Sequence, residues 1–162
     1  PVAVQAALTG HQVISTMHTT DAPGALMRLI SMGAERFLLT AALKVIISQR
    51  LVRTLCQDCR FHVLPTNEQN ILIKHYTDTI IHLYESRGCA QCFHSGYKGR
   101  IGIFQLFEIT PELRQLITEG AHYDQLVKMG SEQGMHSLAV EALPKLKAGI
   151  IGYKEWVSLA CI

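Results

Sequence analysis

The sequence has no apolar run long enough to cross a bilayer. Its best candidate, Phe37 to Ser48, is broken by Lys44 and flanked by Arg36 and Arg50, well short of the roughly 20 apolar residues a spanning helix needs. It also lacks a dominant sign of charge. Fifteen Lys and Arg stand against 13 Asp and Glu, and that balance removes the basic excess by which a dedicated phosphate-backbone binder is recognised. No internal repeat and no low-complexity tract occurs. The opening residues, Pro-Val-Ala-Val-Gln, show no initiator Met, no basic n-region and no cleavage pattern, and they read as a chain cut from something longer.

What is present suits a folded protein. The 162 residues are 48% hydrophobic and 17% charged, enough apolar surface to offset ordering entropy and to form one ordinary domain, or two small ones sharing a core. Val2, Ala3, Ala6 and Ala7 recur at helical spacing up to Gly10, a residue suited to ending a helix in the left-handed conformation. Gln12 to His18, apolar and β-branched with a polar end, predicts a buried strand leading into a functional loop. Asp21 with Pro23 predicts a helix start, with the helix running to Gly33. Phe37, Leu38, Ala41, Ala42, Val45, Ile46 and Gln49 then predict a second helix reaching Arg50. Thr66 and Gln69 form a capping-box signature, and Ile80 to Tyr84 is β-prone. Gly99 to Thr110 predicts a strand, and Thr110-Pro111 opens a helical remainder punctuated by Gly120, Gly130, Gly134 and Gly149. Pro144 is expected to bend or interrupt the penultimate helix.

The most distinctive chemistry is the pair of knuckles Cys56-Gln-Asp-Cys59 and Cys89-Ala-Gln-Cys92. Each offers two thiolates to one tetrahedral ion, and two knuckles complete a closed shell with no open position for water or substrate. The expectation is one structural zinc ion. A disulfide framework requires an oxidising compartment, of which the sequence gives no sign, and a redox pair needs only one knuckle. Cys161 is left over among the apolar residues of the last helix and reads as a buried free thiol.

His11 and His18 flank the predicted strand, and His18 is followed by Thr19, Thr20 and Asp21. Polar residues between a strand end and a helix N-terminus occupy the position where open α/β sheets gather phosphates and reacting groups. His62, His75, His82, His94, His122 and His136 lack a second ligand at metal spacing and are expected on surfaces, with His94 close enough to Cys92 in sequence to support a thiolate.

Ala6 to Ala22, which reads Ala-Ala-Leu-Thr-Gly-His-Gln-Val-Ile-Ser-Thr-Met-His-Thr-Thr-Asp-Ala, resembles the His box of the secretion ATPases that drive type II secretion and type IV pilus assembly. Arg28 to Gly33, Gln49 to Arg53, the cysteine knuckles, Gly96 to Ile103 and Leu146 to Gly149 resemble the same family in the same order, and the tetracysteine element points to its secretion and pilus-assembly branch. The resemblance implies an α/β fold: the C-terminal part of a RecA-like P-loop ATPase core with an inserted zinc lobe and a helical tail. Residues 1–55 would end the core, 56–92 form the zinc lobe, 93–110 return a strand to the core, and 111–162 form a helical subdomain.

By the same resemblance, His18 would lie near the terminal phosphate of ATP, with His11 supporting the loop. Arg50 and Arg53 would lie near the nucleotide or the subunit boundary. The family implies ATP and Mg2+ in the full-length protein, identical subunits in a hexameric ring, an inner-membrane platform with docking proteins as partners, and a cytoplasmic location peripheral at the inner membrane. No nucleic acid is expected. This chain has no Gly-x-x-x-x-Gly-Lys-Ser/Thr stretch, hence no loop of backbone amides to cradle phosphates, and alone it is expected not to hydrolyse ATP. Two departures stand out: Pro144 in a helix, and the His-rich residues 60–82. A rival reading makes the chain a zinc-ribbon module for nucleic acid or protein, because Arg53, Arg60, Arg87, Lys98 and Arg100 surround the knuckles. A metal-dependent hydrolase with His ligands lacks a catalytic-type ligand set.

Overall fold

A computed structural model describes residues 2–79 and 82–161. The elements in chain order are α1 (Val2–Leu8), α2 (Ala22–Ser31), α3 (Arg36–Ala42), β1 (Val45–Leu55), β2 (Arg60–Val63) and α4 (Asn67–Lys74). After these come β3 (Leu83–Ser86), a 3-10 turn at Ala90–Cys92, β4 (Tyr97–Glu108), α5 (Pro111–Thr118), α6 (Tyr123–Glu132), α7 (Leu138–Lys147) and α8 (Tyr153–Ala160). Strand β1 pairs with β4, while β2 pairs antiparallel with β3 in the register Arg60 to Ser86 through Val63 to Leu83. Of the β-prone stretch expected at 80–84, Ile80 and Ile81 lie outside the described residues, and β3 begins at Leu83.

The chain divides into two compact units, Pro1–Ser48 with Gln105–Met135, and Gln49–Phe104 with His136–Ile162. In the first, local chemistry fixes the helix ends. At the end of α1, His11 N–H reaches Ala6 C=O at 3.1 Å and Gly10 N–H reaches Ala7 C=O at 3.2 Å, the paired bonds by which a left-handed residue closes a helix. Gly10 supplies that residue, with φ +91°. Helix α2 opens on Asp21, whose carboxylate accepts from Gly24 N–H at 2.7 Å, and Pro23 tolerates the first turn because its missing N–H would be an orphan there. Leu26, Leu39, Phe107, Leu113 and Leu126 are fully buried in the core of this unit, each worth about 1.5–3 kcal/mol of transfer free energy.

In the second unit, Val52, Leu83, Ile103, Ala142, Leu146, Ile151 and Trp156 form the core. The Trp156 indole N–H is satisfied inside it by Ala139 C=O at 2.9 Å, as burial of a polar group requires. Thr66 and Gln69 form the expected capping box at the start of α4.

Four expectations are corrected. Residues 12–18 form no strand. A strand must hand its N–H and C=O groups to a neighbour, no described residue pairs with this stretch, and Ile14 is 85% exposed. The helix expected to reach Arg50 stops at Ala42. Val45, Ile46 and Ile47 fit a helical stripe by spacing, but they are β-branched, and pairing with β4 makes them a strand. Pro144 lies inside α7 without ending it. Burial of Leu138, Ala139, Ala142, Leu143 and Leu146 offsets the roughly 3 kcal/mol that an interior proline costs a helix. Cys161 is exposed, because α8 ends at Ala160 and leaves it beyond the apolar face.

Candidate functional site

The four cysteines are gathered by the β2–β3 hairpin. Antiparallel pairing sets Arg60 opposite Ser86, so the residues just outside the pair, Cys59 and the Arg87–Cys89 stretch, must meet. Arg87 N–H donates to Cys59 C=O at 3.3 Å. The 29 residues between the knuckles are thus folded out as the hairpin and α4. In the first knuckle, Cys56 N–H is held by Gly96 C=O at 2.9 Å, and Arg60 N–H closes the turn on Cys56 C=O at 3.0 Å. In the second, Cys92 N–H and His94 N–H both return to Cys89 C=O, at 3.1 and 2.9 Å.

Two glycines permit this geometry. A Cβ at Gly88 would sit 2.5 Å from the His94 carbonyl oxygen, and both Gly88 and Gly96 adopt left-handed φ, +82° and +77°. The sequence reading missed them; their positions beside Cys89 and four residues after Cys92 were the available signal.

The Sγ atoms of Cys56 and Cys89 are 3.9 Å apart, those of Cys59 and Cys92 3.9 Å, and those of Cys89 and Cys92 3.8 Å. All four lie within 4.8 Å of one another. A tetrahedron with metal–sulfur bonds of about 2.3 Å has edges of about 3.8 Å, whereas a disulfide requires about 2.05 Å. The donor set therefore fits one tetrahedral metal ion. Cys56 and Cys92 are buried; Cys59 and Cys89 are half-buried.

The backbone also prepares the charge. Cys92 Sγ accepts from Cys89 N–H at 3.2 Å and Gly96 N–H at 3.3 Å. The Cys89 amide foremost, then the Gly96 amide, bring the Cys92 thiol down to about 6 against the cost of burial. Burial pushes the Cys59 thiol up to about 12 and raises Cys56 as well. One thiol is thus ready as a thiolate at neutral pH, and two keep protons that an ion must displace.

The remaining candidates are dispersed. His11 and His18 belong to the first unit, and Arg50, Arg53 and the cysteines to the second. His18 is exposed in the irregular stretch 11–19. His11, also exposed, follows the α1 cap, with its Nδ1 3.1 Å from Thr9 Oγ1. Downstream of His18, the Ala22 N–H at the start of α2 is fixed by the buried Gln105 side chain at 3.1 Å, and Asp21 accepts from the Tyr123 hydroxyl. A groove of about 430 Å³ in the first unit, between Lys44, Glu108, Gln133 and Met135, is lined by none of the predicted site residues.

Arg50 is half-buried on β1. Arg53 is bound to Glu155 through Nε at 3.0 Å, Nη2 at 2.7 Å and its backbone N–H at 2.9 Å, and lies 4.0 Å over the Tyr97 ring. Arg60 donates to Ala148 and Gly149 carbonyls, Arg87 lies over Phe61, and Lys98 is 3.9 Å from Asp58. Four of the five cations near the knuckles are therefore engaged within the chain. The six other histidines are all exposed. No described helix is long and apolar enough to cross a membrane.

The family description "Type II/IV secretion system protein" matches residues 1–158. The type IV pilus assembly ATPase PilB of Myxococcus xanthus is 38% identical over 159 residues, covering 96% of this chain and 28% of its own length. The putative type II secretion system protein E of Escherichia coli is 39% identical over 159 residues, covering 98% and 32%. The type II secretion system ATPase E of Vibrio cholerae is 40% identical over 154 residues, covering 95% and 30%. The chain thus spans less than a third of the length of these relatives. Among solved structures, the ATPase DotB of Legionella pneumophila superposes with a TM-score of 0.62 at 17% identity over 98% of this chain and 34% of its own, a likeness of fold alone. The chain belongs to the type II/IV secretion system protein family.

Proposed function

We propose that this chain is the C-terminal part of a cytoplasmic ATPase that powers type II protein secretion or type IV pilus assembly by ATP hydrolysis. The observation that carries the reading is the match of almost the whole chain to proteins named as type IV pilus assembly and type II secretion ATPases. In this reading residues 1–55 end a RecA-like core, 56–92 form a zinc lobe, 93–110 return to the core and 111–162 form a helical subdomain. Identical subunits form a hexameric ring on the cytoplasmic face of an inner-membrane platform.

The ion held by Cys56, Cys59, Cys89 and Cys92 is zinc, for which four thiolates in a closed tetrahedron are a favoured set. Bound there, it supplies cross-links between the end of β1, the start of β2 and the turn before β4, and its binding free energy becomes folding free energy. It takes no part in hydrolysis, since four protein ligands leave no open position.

ATP and Mg2+ are held by the longer protein, whose phosphate-cradling loop this chain lacks. His18 would lie near the terminal phosphate, sensing it or helping to position the attacking water, while His11, anchored at the α1 cap, would support the loop. Arg50 and Arg53 lie toward the nucleotide or the subunit boundary, and Arg53 would have to leave Glu155 to act there. Phosphoryl transfer depends mainly on positioning and charge stabilisation, so an exposed polar loop can matter without covalent chemistry.

The test is ATP turnover by the full-length protein. His18→Ala is expected to lower kcat at least tenfold with metal content and unfolding profile unchanged. Unchanged turnover removes His18 from the mechanism, and no ATPase activity in the intact parent refutes the proposal.

A further inference from the structure

The first knuckle is gripped on both sides by contacts to one turn of the helical tail. Leu55, immediately before Cys56, donates its N–H to Ile150 C=O at 2.8 Å. Arg60, immediately after Cys59, donates through Nη1 to Ala148 C=O at 2.8 Å and Gly149 C=O at 2.6 Å. Ala148 is the C-cap of α7, where the last C=O groups of a helix have no intrahelical partner and a cation complements the dipole, and Gly149 and Ile150 form the turn that follows it.

The turn itself is closed by Gly149 N–H to Leu146 C=O at 3.0 Å and Ile150 N–H to Lys145 C=O at 2.9 Å. It requires glycine. Gly149 has φ +63°, and a Cβ there would lie 2.6 Å from the Tyr84 ring and 2.8 Å from Arg60 Nη1. Tyr84, on β3, underlies the same guanidinium at 5.1 Å. Beyond the turn, Ile151 and Trp156 are fully buried.

We infer that the four-cysteine site is a metal-operated clasp on the α7–α8 pair, with Arg60 as the residue that transmits metal occupancy to the tail. The inference rests on the reading of the cysteines as a metal site. Bound metal fixes the Cys56–Cys59 turn, and with it the directions of the Leu55 N–H and the Arg60 side chain. Without metal the turn loses its cross-link, and the carbonyls at 148–150 lose their donors. The coupling is reciprocal, as any linkage between two binding equilibria must be: loosening the tail weakens the metal site.

The test uses the whole chain in reducing buffer, zinc-loaded and then stripped with EDTA. Zinc per chain is measured on each sample, together with hydrogen exchange of segment 145–161 and the emission of Trp156, the single tryptophan. In the unmodified protein, stripping raises exchange in 145–161 about tenfold or more and shifts Trp156 emission to the red. Arg60→Gln keeps one zinc per chain and protected amides around the cysteines, yet its 148–152 amides exchange fast with zinc bound and respond little to stripping. Gly149→Ala, which presses on the clasp from the tail side, weakens zinc affinity severalfold and serves should Arg60→Gln fail to fold.

A protein that takes up no zinc overturns the metal reading and the clasp together. A zinc-loaded protein whose tail is indifferent to stripping overturns the clasp alone. So does an Arg60→Gln tail as metal-sensitive as the unmodified one, or a Gly149→Ala protein with unchanged zinc affinity.

Discussion

In the second unit each cysteine sits on backbone tied down near it: Cys56 by Gly96, Cys59 by Arg87, and Cys89 and Cys92 by the hydrogen bonds of their own turn. In the first unit His18 sits in a stretch with no regular structure and exposed to solvent, although Gln105 holds the helix start that follows it. The contrast separates four ligands brought together by their own backbone from an exposed histidine in an irregular stretch, which is a site only under the proposed function. A metal shell closes with four ligands from 37 consecutive positions, Cys56 to Cys92, whereas phosphoryl transfer needs a cradle for the phosphates, and no such loop occurs in this sequence.

The largest effect expected is that of Cys56→Ser. Three thiolates cannot close the shell, so metal is lost and the second unit gives up its cooperative unfolding, while hydrogen exchange in α2, α5 and α6 of the first unit stays unchanged. Collapse of both units together would show that they are not energetically separate.

Lowering pH attacks the same site reversibly. Cys56 and Cys59 are held above the ordinary thiol range, so zinc must displace their protons across neutral pH, and its affinity falls as pH falls. The fall steepens below about 6, where Cys92 takes up a proton too. Competition with a chelator between pH 8 and 5 reads this, and a flat profile would contradict thiolate ligation.

Trp156→Ala removes the centre of the second core and the indole N–H that Ala139 C=O accepts, with an expected cost of about 3–5 kcal/mol in urea unfolding. Leu126→Ala, fully buried in the first unit, is expected to cost about 2–5 kcal/mol and to leave metal content at one per chain. Loss of metal in that variant would break the comparison. Arg53→Ala gives the smallest effect. Its guanidinium is largely exposed, its bonds to Glu155 are screened by solvent, and a melting curve should move less than for any core change.

Where one local rule decides, the sequence was sufficient. Gly10 and Gly33 end helices, Asp21, Thr66 and Thr110 start them, and the cysteine spacing announces a cluster of four sulfurs close enough to share one ion. Where two periodicities fit the same residues, it was not. Phe37 to Gln49 satisfies a helical stripe, and Val45 to Leu55 satisfies a strand; the choice is made by β4, which begins more than 40 residues further along the chain. Gln12 to His18 shows the converse, a strand-like sequence with no described partner and therefore no strand. The contacts of Arg60 and Gly149 were illegible for a related reason: nothing in either stretch names the other, 89 positions distant.

The central claim is that four cysteine sulfurs of this chain hold one zinc ion. Elemental analysis with X-ray absorption at the zinc edge tests it most directly. The expected result is one zinc per chain surrounded by four sulfurs at about 2.3 Å. A protein that takes up no zinc when supplied with it, or a shell containing nitrogen or oxygen in place of a cysteine, would contradict it.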